Sequence, residues 1–508
     1  MKLAKLILSA AAPALLLMAQ SDVVMAANGD ECVHVLGYEW SGEKQSMDPA
    51  DMTSGDDAYH IFAVYNRLVD VDDNFAVTPE LATEWSVSDD GLTWTFKLRE
   101  GVTFHSGKPF TSADVVYTFK RLLDPATGSG AAAVLEFMDP AGIAAPDATT
   151  VTFTTKAPVV ELPVLISNKF TNIVAEGATA DTLRLKGDGT GPFMQEQFEP
   201  NAPVRILRKN PNYWAAGLPK AECVKITVAQ EAVAGVAAIL SGDVDLMLNV
   251  DPSVISALQG NPAVSLLQTG ASNSMTVSMW VDTPPFDDVR VREALKLVVD
   301  RQAMVDTVLL GFGQVAADNP VPLANPASFV TEAPKQDYEK AKALLAEAGY
   351  ADGLKFDLYT AEGVPGMVRM AQVFAEQAKP AGIEINVIVT PAESYWDDVW
   401  LKKPIVTSAW SMRPPGEGLA VAYVQTAKWK ETHWERPDYD AMLQQANTTV
   451  DTQARLDLYK QAAKTLATEG GLILPMFVHQ VLALRTGCTG YTPLAQNFNL
   501  NFENLSCE

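Results

Sequence analysis

Twice this chain runs strand, helix, strand, and that order restricts the fold more than any other feature. The first run reads CVKITV (223–228), EAVAGVAAIL (231–240) and DVDLML (243–248). The second reads KFDLYT (355–360), VRMAQVFAEQAKPAG (368–382) and IEINVIV (383–389). Each is the pattern of a parallel βαβ unit. Residues 60–205 are of another kind. Trp85 and Val87 precede a turn at Asp90-Gly91, and then Leu92, Trp94, Phe96 and Leu98 alternate with polar residues as in a half-buried strand. Thr111 with Asp114 resembles a capping box, and Val115, Val116, Phe119 and Leu122 follow at helical spacing until Pro125 and Gly128. The expected fold is α/β, with two parallel-sheet regions and a mixed β insertion.

Three further segments carry expectations. VRVREALKLVVDRQAMVDTVL (289–309) reads as one helix with Val291, Leu295, Val298 and Val299 on one face. DYEKAKALLAEAGY (337–350) reads as a helix with Asp337 as N-cap and Gly349 just past its end. Residues 311–335, rich in Pro, Ala and Asn, read as a surface loop. The apolar run PIVTS (404–408) reads as a strand that opens into AWSMRPPGEG (409–418), a proline-stiffened loop with an exposed Trp410 and with Arg413. Ligands of open α/β sheets sit beyond the carboxyl ends of strands, which is where this loop falls.

The chain starts MKLAKLILSAAAPALLLMAQSDVVMAANGD. Lys2 and Lys5, an apolar run from Leu6 to Ala19 and small residues before Ala26 and Ala27 make residues 1–26 a cleavable signal peptide. The run is too short to span a membrane comfortably. A periplasmic, soluble product is therefore expected. Formal net charge is −24, and losing Lys2, Lys5 and Asp22 with the leader makes it more negative by one. Such acidity argues against nucleic acid or anionic lipid as partners. The part beyond the leader is longer than one core usually covers, so two or three lobes are expected. Cys32, Cys223, Cys488 and Cys507 all lie in it, and an even count in an oxidising compartment suggests two disulfides. Three pairings stand open, as do free buried thiols. Cys32–Cys223 is favoured because each begins a strand-like run, leaving Cys488–Cys507 to pin the tail.

Catalytic signatures are missing. No Gly-x-Ser-x-Gly elbow occurs, and GDGTGPF (187–193) does not open an apolar helix after a strand as a phosphate cradle would. His34, His60, His105, His433 and His479 are never three or four apart, so no local metal pair exists. The pairs Asp56-Asp57, Asp72-Asp73, Asp287-Asp288 and Asp397-Asp398 are read as caps or solvated groups. No cofactor and no metal are expected.

Several stretches together resemble one family, the extracytoplasmic solute-binding proteins of the peptide/nickel class that serve ABC importers. They are SMDPAD (46–51), the block 64–125 almost throughout, GTGPF (189–193), NPNYW (210–214), FDDVRVREALKLVVDR (286–301), YEKAKALLAEAGY (338–350) and WKETHWERPDYDAML (429–443). The resemblance implies a three-lobed periplasmic-binding fold of the large peptide-binding type, two main lobes joined by a hinge plus a mixed β insertion lobe. Lobe I would combine residues 28–62, 205–282 and 476–508; lobe II would be 63–204 and lobe III 283–475. The ligand would lie between lobes I and III. The resemblance also supports Cys32–Cys223, on neighbouring parallel strands of lobe I.

Two positions carry over. Arg369 corresponds to an arginine that holds the peptide carboxylate in dipeptide-binding members, a role suited to a guanidinium. Arg413 stands where those members place an aspartate for the peptide's α-amine, and a cation cannot hold an ammonium. Glu417 would substitute if the loop shifts. Trp410 would be an apolar wall, and Trp280, Tyr395 and Trp396 further lining. The expected function is capture of a small, peptide-like solute bearing a carboxylate, by a monomer that delivers it to a homo- or heterodimeric inner-membrane permease with cytoplasmic ATPases. The alternatives are a nickel, metal-chelate or haem binder of the same family and an exported hydrolase.

Overall fold

Two long strands, Val264–Met279 and Leu472–Arg485, run antiparallel through the middle of the molecule and organise everything around them. The computed structural model describes residues 32–38, 46–52, 57–197, 202, 204–229, 232–495 and 500–508; the expected leader, residues 1–26, lies outside them. Among these residues the long pair is the centre of an eleven-stranded sheet. On one side follow Ile405–Ser411, Leu354–Ala361 and Ile383–Thr390; on the other Leu246–Met247, Cys32–Tyr38, Cys223–Ala229, Val204–Lys209 and Phe193–Gln197.

Both βαβ units form. Leu354–Ala361 and Ile383–Thr390 pair in parallel, joined through helix Met367–Ala378, whose Met370, Ala371, Phe374 and Ala375 are buried on one face. Cys223–Ala229 and Leu246–Met247 flank Cys32–Tyr38 and are both parallel to it. That pairing sets Cys32 opposite Cys223, and the two are bonded. Cys488 and Cys507 face each other in a small hairpin of their own and are bonded as well. Of the open pairings, the favoured one is the one formed.

The insertion is a four-stranded antiparallel sheet, in the order Ala82–Val87, Thr93–Leu98, Thr150–Thr155, Met138–Asp147. Trp94, Phe96 and Leu98 are its buried face, as the alternation requires. Helix Ser112–Leu123 covers that face, with Phe119 edge-on to Phe153 at 4.8 Å between centroids. The capping box at Thr111 and Asp114 is reciprocal. Asp114 also meets Lys108 in an ion pair and accepts from Glu176 N at 2.7 Å, so one buried carboxylate ties three segments together. The SMDPAD segment is held by the same helix, where Arg121 grips Asp48 through both terminal guanidinium nitrogens.

The structure corrects four local readings. Residues 289–309 are two helices, Val289–Leu297 and Arg301–Val308. Asp300 is extended and its carboxylate accepts from Ala303 N, so it caps a new helix instead of continuing the old one. The strand after Pro404 runs on to Ser411, which puts Trp410 inside the sheet and half-buried. The prolines Pro414 and Pro415 then start a short helix, Pro415–Ala420, where proline at the first turn costs no hydrogen bond. The loop 311–335 contains a short strand, Gly313–Val315, paired with Leu472–Arg485. The glycines of GTGPF serve close packing: a Cβ on Gly189 would stand 2.0 Å from the Val64 carbonyl oxygen, and Gly191 N donates to that oxygen at 2.9 Å.

Separate apolar cores sit on either side of the long strands and in the insertion. One gathers Val33, Val35, Phe62, Ile226 and Leu482; another Met275, Leu295, Leu358, Phe374 and Ile405; a third Phe96, Phe104, Phe119 and Phe153.

Candidate ligand-binding site

A cavity of about 470 Å³ opens over the middle of the long strand pair. The strand Val264–Met279 supplies Ser272, Asn273 and Met275, and its neighbour Ile405–Ser411 supplies Ala409, Trp410 and Ser411. Asn273 pairs with Ser411 and Met275 with Ala409, so the pleat sets these four on one face. His479 and Gln480 come from Leu472–Arg485. Here the ladder between the long strands is irregular, with register shifts between Gln268 and Ala271 and between Ala271 and Asn273. Such bulges re-aim side chains.

The remaining walls come from strand ends. Asn249, Pro252 and Ile255 follow the carboxyl end of Leu246–Met247, where Asn249 takes a left-handed backbone (φ 52°) that asparagine tolerates better than most residues. Val364, Pro365 and Gly366 follow the carboxyl end of Leu354–Ala361. Gly366, at φ 87°, begins helix Met367–Ala378. Val308, Leu309 and Phe312 close the apolar side.

The lining is neutral at pH 7. It contains no Asp, Glu, Lys or Arg among the described residues, and its one titratable group is His479. Burial holds the His479 pKa below the usual imidazole value, against the pull of Asp73. Its Nδ1 faces Gln268 Oε1 at 3.2 Å, while Nε2 is buried and accepts nothing from the protein. With Nδ1 donating to that amide oxygen, Nε2 is an acceptor in want of a donor. The site can therefore hydrogen-bond a ligand through amides and hydroxyls, over a mainly apolar floor.

Of the residues expected to bind, the structure brings Trp410 to the cavity. Its position is not that of an exposed loop residue. The indole Nε1 donates to Glu431 Oε1 at 3.1 Å, the Trp400 indole donates to Glu431 Oε2 at 3.1 Å, and Tyr423 OH donates to Oε1 at 3.3 Å. Glu431 is wholly buried, and burial raises its pKa in spite of these bonds. Nothing in the sequence marked Glu431 as the anchor of the cavity wall.

The other expected residues lie elsewhere. Arg413 donates through Nε to Glu417 Oε1 at 2.8 Å and through Nη1 to Ser411 O at 3.0 Å, so the two residues read as alternative grips hold each other one helical turn apart. Arg369 is on the exposed side of its helix, 3.4 Å from Thr307 O. Tyr395 is core, donating to Thr407 O at 2.7 Å. Trp396 is on the surface, edge-on to Tyr395 and Trp400. Trp280 stacks on His433 at 4.1 Å, and His433 is bonded to Asp282. None of these six borders the cavity. The one group of metal-ligating side chains found among the described residues is Asp245 with Cys488 and Cys507, and its sulfurs are already joined to each other.

A sheet shared by two cores carries a neutral cavity over the strands that cross between them. Residues 76–431 match the family described as bacterial extracellular solute-binding proteins, family 5, middle. The chain belongs to this family, whose members serve ABC importers. It is 29% identical over 440 residues to heme-binding protein A of Haemophilus influenzae, covering 78% of this chain and 79% of that one. It is 26% identical over 535 aligned residues to the dipeptide-binding protein of Escherichia coli, covering 96% and 97%. Its fold matches that of HbpA2 from Haemophilus parasuis with a TM-score of 0.81, at 24% identity, over 94% of this chain and 99% of that one. The first two of these are named for binding. Among the described residues no helix is long and apolar enough to cross a membrane.

Proposed function

We propose that this chain, exported and freed of its leader, captures a peptide-like solute in the 470 Å³ cavity and hands it to an ABC permease pair, without altering the solute chemically. The observation that carries this reading is the neutral polar lining. Asn249, Asn273, Ser411 and Gln480 offer amide and hydroxyl groups suited to peptide N–H and C=O, and Ser272 Oγ, which donates to Val478 O at 3.0 Å, keeps its lone pairs as an acceptor. The apolar floor of Met275, Leu309 and Phe312 suits a hydrophobic side chain. In this reading residues 28–62, 205–282 and 476–508 form one lobe, 283–475 the opposing lobe and 63–204 the insertion. Closure is taken up where the long strands are bulged. The carboxylate grip by Arg369 and Arg413 is not part of the reading, because neither borders the cavity.

Native mass spectrometry of the protein purified without refolding tests it, followed by calorimetry with di- and tripeptides. A bound peptide, or micromolar binding of one from the panel, is the expected result. Turnover of the peptide, or no binding across the panel, overturns it. The likeness to a heme-binding protein supports a second reading, heme as the solute, with His479 as the lining imidazole. Two propionates would then find no lining Arg or Lys, and a Soret titration decides between the two.

A further inference from the structure

A second cavity, of about 520 Å³, lies away from the first, between the mixed β insertion and the C-terminal helices. Its insertion side is Phe75, Val77, Trp85, Val87 and Trp94. Its other side is Pro414, Pro415, Val450 and Leu456. Two charged side chains of opposite sign enter it, Glu161 and Arg455. They lie near enough for the guanidinium to pull the Glu161 pKa down, against the larger upward push of burial and a smaller one from Glu417, and among the described residues no ion pair joins the two.

Both are positioned by other contacts. Glu161 Oε1 accepts from Tyr459 OH at 3.0 Å, and no hydrogen bond reaches Oε2. Arg455 spends Nη1 on the carbonyl oxygens of Thr449 at 2.9 Å and Val450 at 3.2 Å, which leaves Nε and Nη2 unbonded. That remaining edge is the one that meets a carboxylate through two parallel bonds. Glu161 and Arg455 are each half-buried and each keeps free polar atoms at the cavity, so a ligand bearing both complementary charges can engage the two at once. Phe75 adds a further sign. It borders the cavity at φ 62°, a backbone most bulky residues avoid, held there by Asp72, whose carboxylate accepts from Asn74 N and Ala76 N.

We propose that this cavity is a second binding site, for a free zwitterionic α-amino acid with an aromatic or branched side chain. The ammonium meets Glu161 Oε2, the carboxylate meets the Nε–Nη2 edge of Arg455, and the side chain lies against Trp85 and Phe75. Such a ligand would bridge the insertion to the C-terminal helices.

Calorimetry with L-phenylalanine and L-leucine tests the assignment on the full mature chain. The variants are Glu161→Gln, Arg455→Gln and Ala409→Trp, the last of which fills the first cavity. Expected is binding of at least one of the two amino acids that survives Ala409→Trp and weakens by about tenfold or more in each of the other two variants, the equivalent of one charged hydrogen bond. N-acetyl-L-phenylalanine and L-phenylalaninamide, each lacking one charge, should bind about tenfold more weakly. Peptide binding at the first cavity in Glu161→Gln and Arg455→Gln reports that these variants are folded. If neither amino acid binds, or if binding is lost in Ala409→Trp and kept in Glu161→Gln, the second site is refuted. The first cavity is judged separately, by the peptides alone.

Discussion

Replacing Glu431 should loosen the wall of the first cavity, and the size of the effect follows from three hydrogen bonds. Its carboxylate accepts from the indoles of Trp400 and Trp410 and from Tyr423 OH, with two of these donors on Oε1 and one on Oε2. In Glu431→Gln the amide will turn its oxygen to the pair, so one indole loses its acceptor. A lost bond to a charged group amounts to about 1.5–3 kcal/mol. In Glu431→Ala all three donors are stranded in a dry site at about 1–3 kcal/mol each, or about 3–9 kcal/mol together, less what is recovered by not burying a charge. A chain of this size unfolds with about 1 kcal/mol/K of entropy, so each kcal/mol lowers Tm by about 1 °C. Thermal melts should therefore fall by about 2 °C for the glutamine variant and by several degrees for the alanine variant. Peptide affinity should weaken in the same order, because Trp410 borders the cavity. An alanine variant that melts with the wild type would show that the carboxylate does not hold the two indoles, and the anchoring argument would fail.

Other expectations are equally direct. Removing the Cys32–Cys223 bond, which closes 191 residues, should destabilise the chain by about 5 kcal/mol, against about 3 kcal/mol for the 19-residue Cys488–Cys507 loop, measured by denaturant unfolding of serine variants. His60 is wholly buried, and burial followed by the Arg205 charge lowers its pKa from 6.5 to about 3. Its unfolded form takes up a proton first, so its share of stability is whole above pH 6.5 and is lost as pH falls toward 3, to a limit of about 5 kcal/mol; His60→Gln should flatten that part of the Tm–pH profile. Arg413→Ala and Arg369→Ala should change peptide affinity less than about threefold, since the first leaves an exposed pair and the second an exposed helix face. Asn273→Ala should weaken it about tenfold, for a hydrogen bond lost inside the cavity.

The elements were legible wherever one face of them is buried and the other is wet. Thr93–Leu98 alternates because a helix covers one side, and Asp337 and Asp114 stand at helix starts because free backbone N–H groups need acceptors there. The split at Asp300 was less legible, because Val298 and Val299 continue the apolar spacing through the break and both are buried. Only a carboxylate at position 300 distinguishes a new start from a continuing helix. Likewise Ala409, Trp410 and Ser411 look like a loop because proline follows closely, yet the strand beside them, Val264–Met279, supplies partners as far as Ser411.

The cavity was partly legible from one rule, that ligands sit beyond the carboxyl ends of strands. Applied to the end of Ile405–Ser411 the rule finds Ser411; applied equally to the ends of Leu246–Met247 and Leu354–Ala361 it finds Asn249 and Gly366. Asn273, His479 and Gln480 escape it, since they sit in the middle of long strands and reach the cavity only where the ladder is irregular. An irregular ladder depends on two strands about two hundred residues apart and leaves no local mark. The charged residues stand apart from the cavity for the opposite reason. Arg413 and Glu417 are conspicuous in sequence, but Arg413, just ahead of the helix Pro415–Ala420, reaches Glu417 in its first turn, and a paired guanidinium has less left to offer a ligand. What the cavity presents instead is a set of neutral amides and hydroxyls over an apolar floor.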